Sequence, residues 1–442
     1  MNRSILCLLA TAALLCARSA EVDRAFLPRF TWIESSYDKK VRIAVQPDGK
    51  ILAGGEFSEC NGLPVKKIIR FEKNGAIDDN FRASDGIRRV DDFTFGHDGW
   101  IYVRGEFEFD GRTSRLDRIN YDGVRDTNFH GAGMTSGFAV RQDGTITFSG
   151  NFSSYSGGTA YLAQLKPDGQ IDPTFQPETR PSPILSLCGG GVYLLPDGKL
   201  LAAGLFPGIG PYSISIQRIF PDGKPDLSFA AGGVQIGSIA FGAQIQRNGQ
   251  IVFTDNSWNG VKRLNANGSA DTSFKQHANV GLKMTVLRFA VAPDYRIYSV
   301  SGLDPGGESP PRLDRLHRDG TLDESFQQGS GPSDWVPANW TFMEVAVEAD
   351  GSVLVAGNFR KFDGVECSGL VRLKADLVKT IVANEFADGK LRLSCVGNAG
   401  SFAIEGSDNL KNWNEAACGE FQANKADVSL EVAGANRFFR IR

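Results

Sequence analysis

The eleven-residue stretch LKPDGQIDPTF, residues 165–175, occurs in six versions along the chain. Every version has Asp-Gly or Asn-Gly in a polar turn, and a phenylalanine follows the turn residue at a fixed distance of seven positions. These dipeptides favour tight β-hairpins, because glycine accepts the left-handed backbone conformation that such turns need. The other versions are FEKNGAIDDNF (71–81), INYDGVRDTNF (119–129), IFPDGKPDLSF (219–229), LNANGSADTSF (264–274) and LHRDGTLDESF (316–326).

Another turn precedes each version, as in RIAVQPDGKILAGGEF (42–57); we call it the first turn of the repeat, and the turn within the eleven-residue stretch the second turn. Together these features define seven repeats of about fifty residues. Each repeat offers two hairpins, and therefore four short strands. A unit this small cannot bury both faces of its sheet alone. The sequence predicts an all-β fold, a seven-bladed β-propeller. The first turns lie at Asp48, Asp98, Asp143, Asp197, Asn248, Asp294 and Asp350.

The two ends of the repeat region favour a closed ring over an open solenoid, which would need caps. The seventh repeat ends in GLVRLKADLVKT (369–380) without its closing Asp-x-x-Phe. Residues 21–26, EVDRAF, supply that pattern with Asp23 and Phe26. We therefore predict that the N-terminal strand completes the last blade and leaves no open edge.

The hairpin register predicts one arginine–aspartate pair across the second turn of most blades. Carboxylates at regular spacing could also indicate catalysis or calcium binding, but one cross-strand pair per blade favours a structural role. In the third version Gln164 replaces arginine opposite Asp172. The predicted pairs are Arg70 with Asp78, Arg118 with Asp126, Arg218 with Asp226, Arg263 with Asp271, Arg315 with Asp323, and Arg372 with Asp23.

Residues 1–20 have the features of a secretory signal peptide: an early arginine, an apolar run from Ile5 to Leu15 and small residues near the end. Cleavage after Ser19 and cleavage after Ala20 both stay open. No later stretch is apolar enough to span a membrane. The net charge of −3 without a basic patch argues against nucleic acid as a partner. We expect a secreted, periplasmic or cell-surface monomer.

The repeat resembles the bacterial delta-60 family of secreted and surface proteins, from about Asp23 to Lys379. The resemblance rests on the recurring Asp-Gly, Gly-x-Phe and Arg-Leu…Asp-Gly…Asp-x-x-Phe elements. The fifth repeat departs from it at IVFTDNSW (251–258), and the sixth has Asp294-Tyr295 in place of Asp-Gly. The resemblance implies architecture and export, not a reaction.

The repeat stops after Lys379, so we divide the chain into a signal peptide (1–20), the propeller (21–380) and a small C-terminal β domain (381–442). In the last domain Cys395 and Cys418 could form a disulfide. SDNLKNW (407–413) and RFFRIR (437–442) are similar to small terminal modules of secreted bacterial proteins. A role in surface attachment and a role as a packing cap both remain open.

Catalytic motifs are scarce: the four histidines stand in four different repeats, and neither a metal nor a cofactor is predicted. The links between repeats vary in length, and variable loops on a rigid scaffold usually carry recognition. Two links, which feed the neighbouring blades one and seven, are aromatic. Arg180 lies in another link and could meet an acidic glycan. The aromatic residues are Trp32, Tyr37, Trp335 and Trp340, which could form a binding rim or pack between blades.

The leading hypothesis is a non-enzymatic propeller that binds an extracellular polysaccharide or protein through its variable-loop face. One alternative is a hydrolase or lyase that acts on extracellular polysaccharide, with a site in the central channel. A glycosidase of that kind would bring two carboxylates together at roughly 5 to 10 Å. The other alternative is a purely structural component of the envelope.

Overall fold

The fold consists of β-strands: every regular element in the described part of the chain is a strand, which confirms the all-β prediction. The computed structural model describes residues 18–19, 21–33, 40–109, 111–131, 133, 137–152, 160–175, 177, 191–206, 214–230, 240–255, 260–276, 286–301, 311–324, 326–327, 329–336, 343–374, 380–387, 390–396, 401–407, 414–420, 425–431 and 438–441.

Seven three-stranded antiparallel sheets follow one another along the described residues, one for each repeat. We number them sheets 1 to 7. Their strands are β3 (Val41–Val45), β4 (Ile51–Gly55) and β7 (Ile68–Phe71); β8 (Ile87–Phe95), β9 (Trp100–Phe109) and β10 (Arg112–Asn120); β11 (Gly137–Val140), β12 (Ile146–Phe152) and β13 (Ala160–Leu165); β14 (Val192–Leu194), β15 (Leu200–Phe206) and β16 (Ile214–Ile219); β17 (Ala240–Ile245), β18 (Ile251–Asp255) and β19 (Val261–Leu264); β20 (Val286–Val291), β21 (Ile297–Ser301) and β22 (Arg312–Leu316); and β25 (Met343–Val347), β26 (Val353–Gly357) and β29 (Leu370–Leu373).

The fourth strand expected in each repeat is reduced to a single bridge. In sheet 1, for example, Phe71 pairs with Ile77 beyond the second turn and the Asp78 amide donates to the Arg70 carbonyl at 2.9 Å. The Phe81 amide then bonds back to the Asp78 carbonyl at 3.1 Å. The chain bends there because the Asp78 side chain accepts a bond from the Asn80 amide at 2.9 Å. The four-strand prediction was therefore wrong in this detail.

The hairpin turns adopt the left-handed glycine conformation that their sequence predicts. Gly49 has φ +85° and Gly75 has φ +89°, and the Gly49 amide closes its turn on the Gln46 carbonyl at 2.8 Å. In the sixth repeat Tyr295 holds the same position with φ +68°. Its amide bonds the Ala292 carbonyl at 2.9 Å, so the turn keeps its geometry although the side chain strains it.

Tyr295→Gly is expected to raise the free energy of unfolding by about 1 kcal/mol, because glycine adopts φ +68° without steric conflict. Chemical denaturation of both proteins measures the change. The reverse control is Gly198→Ala: Gly198 has φ +80°, and an added methyl would meet no atom within 4 Å, so only backbone strain acts there. That variant should lose about 1 kcal/mol. A loss of stability in Tyr295→Gly would show that packing of the ring outweighs the strain.

Buried apolar clusters fill the spaces between consecutive sheets. Leu52 and Ile68 of sheet 1, for instance, pack with Ile101 and Val103 of sheet 2. The last sheet also packs on the first, since Leu354 of sheet 7 shares a cluster with the residues of β3 and β4. The first strands of the seven sheets contact one another in sequence, and β25 contacts β3, so these contacts form a closed circle.

The N-terminal segment joins sheet 7. The Asp23 amide donates to the Arg372 carbonyl and the Lys374 amide donates to the Glu21 carbonyl, both at 2.8 Å. Val22 forms an antiparallel bridge with Leu373. Residues 21–23 therefore hold the place that residues beyond the second turn hold in the other sheets. Just before them, β1 (Arg18–Ser19) pairs in parallel with β23 (Phe326–Gln327).

Two small sheets that the sequence did not predict flank sheets 1 and 7. In each of them, one strand from the link between repeats pairs with a short hairpin that begins at the phenylalanine of Gly-x-Phe. The first contains β2 (Phe30–Trp32), β5 (Phe57–Cys60) and β6 (Leu63–Pro64), and the second contains β24 (Pro332–Trp335), β27 (Phe359–Phe362) and β28 (Val365–Glu366).

The C-terminal region contains two further three-stranded antiparallel sheets. The side chains of Cys395 and Cys418 lie outside the described part of the structure, so their pairing stays a prediction. Cys60 and Cys367 are free and buried, and burial raises the pKa of each thiol to about 12. The strands are β30 (Thr380–Ala387), β31 (Lys390–Val396) and β34 (Lys425–Glu431) in one sheet, and β32 (Ser401–Ser407), β33 (Asn414–Glu420) and β35 (Phe438–Ile441) in the other.

Candidate functional site

The repeated arginine–aspartate pairs lie within the scaffold. In five sheets the arginine Nε donates to the aspartate Oδ2 at 2.7 to 2.9 Å. The guanidinium carbon lies 4.6 to 4.8 Å from the ring centre of the closing phenylalanine. In sheet 3 Gln164 donates instead to the Thr147 hydroxyl at 3.0 Å. The five pairs are Arg70 with Asp78, Arg118 with Asp126, Arg218 with Asp226, Arg263 with Asp271, and Arg315 with Asp323.

Four of these arginines, Arg70, Arg118, Arg218 and Arg263, also donate to a backbone carbonyl of the next sheet. Arg118 Nη1 donates to the Pro167 carbonyl at 2.8 Å, and Arg218 Nη1 donates to the Ala266 carbonyl at 3.0 Å. Both acceptors stand one residue before the Asp or Asn of the neighbouring second turn. Arginine suits this position because its planar guanidinium presents five donors to several acceptors at once. The pairs thus serve packing between sheets.

Arg372 of sheet 7 makes the corresponding contacts with sheet 1 and the N-terminal segment. Its Nη2 donates to the Lys73 carbonyl at 2.7 Å, one residue before the turn of sheet 1. Its guanidinium carbon lies 4.1 Å from the Phe26 ring centre, and its Nη1 lies 3.5 Å from Asp23 Oδ2. Glu348 accepts two further bonds, at 2.7 and 3.1 Å.

The predicted aromatic rim is placed only in part. Trp32 pairs with Phe57 in one small sheet and Trp335 pairs with Phe359 in the other, so the two tryptophans hold equivalent positions. Both are half-buried and pack on different core clusters, with the Trp335 and Phe359 rings edge to face at 5.9 Å. These contacts match the packing alternative. Tyr37, Trp340 and Arg180 lie outside the described residues.

A polar cleft of about 420 Å³ opens beside the long hairpin of sheet 2. Arg88, near the start of β8, pairs with Glu108 at 3.2 Å, and Arg115 pairs with Glu106. The Phe107 ring is buried below them. Because β8, β9 and β10 are antiparallel, the ends of β9 and β10 that meet near Arg112 lie opposite the Asp-Gly turns of sheet 2, and the cleft lies at that end, where the sequence predicts the variable-loop face. The lining residues are Arg88, Glu106, Phe107, Glu108, Thr113, Ser114, Arg115 and Gly133.

A second feature lies on the circle of first strands. One position in each sheet, three residues before the last residue of the first strand, is equivalent in all seven sheets. We call these seven positions the inner level. Four positions are charged and alternate in sign through sheets 6, 7, 1 and 2; the remaining three, in sheets 3, 4 and 5, are glycine. In order from sheet 1 to sheet 7 they are Arg42, Asp92, Gly137, Gly191, Gly242, Arg288 and Glu344.

Three of the four charged side chains of the inner level interact in a row, with Glu344 between Arg42 and Arg288. Arg42 Nη1 bonds Glu344, and Arg288 Nε lies 3.9 Å from the same carboxylate. Burial lowers the pKa of Arg288, and the neighbouring charge of Arg42 lowers it further. Burial also opposes the charge of Arg42, but Glu344, Asp92 and Asp91 outweigh it and raise the pKa of Arg42. The sequence contains this row, but it becomes visible only when the seven repeats are aligned on their first turns.

The described residues contain no cluster of histidine, cysteine, aspartate or glutamate that could hold a metal ion. The described histidines, His97, His130 and His317, are exposed at the turns and links, away from the inner level. Within the same ranges, no helix has the length and apolar character to cross a membrane.

Comparison with known proteins identifies the repeats. Five segments match the model of a family described as "Domain of unknown function (DUF5122) beta-propeller": residues 46–81, 141–175, 195–229, 246–274 and 348–378. The chain therefore carries repeats of a β-propeller family. No curated protein matches the sequence.

Solved structures with similar folds share little sequence with the chain. The extracellular domain of a hybrid two-component system from B. thetaiotaomicron is 11% identical, with a TM-score of 0.48 over 84% of this chain, which spans 45% of that protein's chain. A streptogramin B lyase is 15% identical, with a TM-score of 0.48 over 78% of this chain and 97% of its own. The virginiamycin B lyase of Staphylococcus aureus is 13% identical, with a TM-score of 0.49 over 78% and 98%.

Proposed function

We propose that the protein is an exported seven-bladed propeller of the delta-60 type that binds an extracellular glycan or protein through its variable-loop face. Residues 21–380 would form the ring, after removal of a signal peptide at residues 1–20, and residues 381–442 a small β domain for attachment or packing. Support for the ring comes from Arg372, which repeats between sheets 7 and 1 the contacts that Arg118 makes between sheets 2 and 3.

The observation that carries the binding role is the cleft of about 420 Å³ beside the hairpin of β9 and β10. It combines two arginines, two glutamates and two hydroxyl side chains on a rigid sheet. Such a surface offers both donors and acceptors to a polar partner. Phe107 is too deeply buried to stack on a sugar ring, so recognition would rest on hydrogen bonds and charge.

The test compares the protein with an Arg88→Ala/Arg115→Ala double variant on an array of bacterial and algal polysaccharides and extracellular proteins. Both arginines are largely exposed, with side-chain exposures of 61% and 41%, so their removal should cost little stability. We expect the variant to bind its partner at least tenfold more weakly. Arg112→Ala, which removes an exposed arginine on the same hairpin outside the cleft, is the matched control. Equal binding by the double variant and the protein would refute the cleft as the site.

A further inference from the structure

The contact between the N-terminal segment and sheet 7 differs in one respect from its counterparts in the other sheets. In five sheets the arginine Nε donates to the aspartate beyond the second turn at 2.7 to 2.9 Å. In sheet 7 the Arg372 Nε donates to Glu348 instead, at 2.7 Å, and the Nη2 donates to the same carboxylate at 3.1 Å. Asp23 is left with the Arg372 Nη1, at 3.5 Å. Glu348 therefore holds the place at the guanidinium that the aspartate holds elsewhere.

The backbone around Asp23 is the same as in the other sheets. The Asp23 Oδ1 accepts a bond from the Ala25 amide at 3.1 Å, and the Phe26 amide bonds the Asp23 carbonyl at 3.0 Å. Asp78 of sheet 1 accepts the two corresponding bonds at 2.9 and 3.1 Å. Only the bond to the arginine has changed, which points to the competing carboxylate as the cause.

Glu348 is the only acid at its position in the seven repeats, two residues before the Asp or Asn of the first turn. From sheet 1 to sheet 7 the residues there are Gln46, Gly96, Arg141, Leu195, Gln246, Ala292 and Glu348. The two glutamines, in sheets 1 and 5, are buried as Glu348 is. In those sheets Arg70 and Arg263 bond their aspartates at 2.7 Å. A neutral side chain of the same size at this position thus leaves the arginine–aspartate bond intact.

The charges that meet at this contact are enclosed. Arg372 and Glu348 are each only 8% exposed, and the Asp23 side chain is 20% exposed. Burial raises the pKa of Glu348; Arg372 offsets this in part, and the charges of Asp350 and Asp23 raise the pKa further. Sheet 1 contributes the Lys73 backbone carbonyl, which accepts a bond from Arg372 at 2.7 Å. The charges around Glu348 therefore come from β29, from its own turn and from the N-terminal segment.

We propose that Glu348 and Asp23 compete for Arg372, so that protonation of Glu348 returns the guanidinium to Asp23 and tightens the N-terminal segment on sheet 7. With Glu348 ionised, its carboxylate occupies two donors of the guanidinium. With Glu348 neutral, that ionic contact is lost, and the Arg372 Nε can bond Asp23 as Arg70 bonds Asp78 in sheet 1. The closing contact of the circle of sheets is then a pH-sensitive latch, whatever partner the cleft binds.

The direction of the response follows from proton linkage. A carboxyl group with a raised pKa binds its proton more readily in the folded protein than in the unfolded chain. The stability that Glu348 contributes therefore grows as the pH falls through its raised pKa, and it stops growing at the ordinary value for glutamate. Asp23 adds to the rise only while the segment is in place, so the proton also favours the attached segment over the detached one. Acidification from neutral pH should tighten the segment.

The test is native-state hydrogen exchange at about pH 8 and about pH 5, expressed as protection factors, so that the chemical pH dependence of exchange is removed. The reporters are the Asp23 and Lys374 amides, which bond across the contact between the segment and β29. Their protection should rise about tenfold at the lower pH, since the segment gains one charge-assisted hydrogen bond. The Asp126 and Asp226 amides make the same bond as Asp23 in sheets 2 and 4. As internal controls they should change by less than about twofold.

Glu348→Gln gives sheet 7 the residue that sheets 1 and 5 have at this position, so the variant should fold. It should hold the segment at about pH 8 as firmly as the unaltered protein does at about pH 5, and its protection factors should no longer depend on pH. In its crystal structure the Arg372 Nε should lie 2.7 to 2.9 Å from Asp23 Oδ2, as in five other sheets.

Asp350→Asn is the matched control. It removes an exposed acid beside Glu348, and sheet 5 has asparagine, Asn248, in the same turn position. This variant should keep the response to pH. The proposal is overturned if the reporter and control amides respond alike, or if Glu348→Gln keeps the response. It is also overturned if Asp23 stays at 3.5 Å from Arg372 in the glutamine variant.

Discussion

A chain that begins at residue 28 is expected to melt about 10 °C below one that begins at residue 21. The segment between them contributes Phe26, which is fully buried against the Arg372 guanidinium, and Val22, which pairs with Leu373. Loss of a buried phenylalanine alone costs about 3–5 kcal/mol. The free edge of β29 and the lost Asp23 contact add to that cost. At about 2 °C for each kcal/mol, the sum gives the expected fall, measured by calorimetry.

Two matched chains make this experiment specific. The chain that begins at residue 21 keeps every contact of the segment with sheet 7 and serves as the reference. A Phe26→Ala variant of that reference keeps the strand hydrogen bonds and should account for most of the fall. Equal melting of the two truncated chains would show that the N-terminal segment does not complete the sheet.

The sequence predicted the sheets because their decisive contacts are local. Arg70 and Asp78 are eight positions apart, and a single Asp-Gly turn sets their register. The same reasoning predicted the pairing of the N-terminal segment with the last sheet, because residues 21–26 supply the Asp-x-x-Phe pattern that the seventh repeat lacks. The fourth strand was overestimated, because the side chain that starts the bend, as at Asp78, also ends the pairing after one bridge.

The two small sheets and the packing of the tryptophans could not be predicted from local sequence patterns. The Ser368 hydroxyl donates to the Phe30 carbonyl across 338 positions of the chain, and no local pattern encodes such a contact. An aromatic residue in a link looks the same in sequence whether it is exposed or, as with Trp335, packed on the ring of Phe359.

The inner level was missed for a different reason. Its signal is a comparison between repeats, not a motif within one. Asp92 and Arg288 also follow one-residue shifts in the strand pairing. These shifts interrupt the alternation of side chains between the two faces of the sheet, so an alternating pattern does not reveal that the two residues hold equivalent positions. Aligning the repeats on the first turn, and counting back from it, reveals the alternating charges and the three glycines.

Arg315→Ala is expected to lower the free energy of unfolding by about 3–5 kcal/mol, because it leaves the Asp323 carboxylate buried without its main partner. Arg315 is 1% exposed and Asp323 is 5% exposed, and their Nε–Oδ2 distance is 2.8 Å. The arginine also stacks on Phe326, with its guanidinium carbon 4.7 Å from the ring centre. Urea denaturation of the variant and the parent protein measures the difference.

Arg318→Ala is the matched control, since this exposed arginine belongs to the same turn and only its backbone carbonyl accepts a bond, from Arg263. It should change stability by less than about 0.5 kcal/mol. A double variant, Arg315→Met with Asp323→Leu, then distinguishes the cost of an orphaned charge from the value of the pair itself. If the buried carboxylate causes the loss, the double variant should recover most of it, because an apolar pair of similar size needs no hydrogen-bond partner. A loss as large as in Arg315→Ala would instead assign the stability to the other contacts of the arginine, such as its stacking on Phe326.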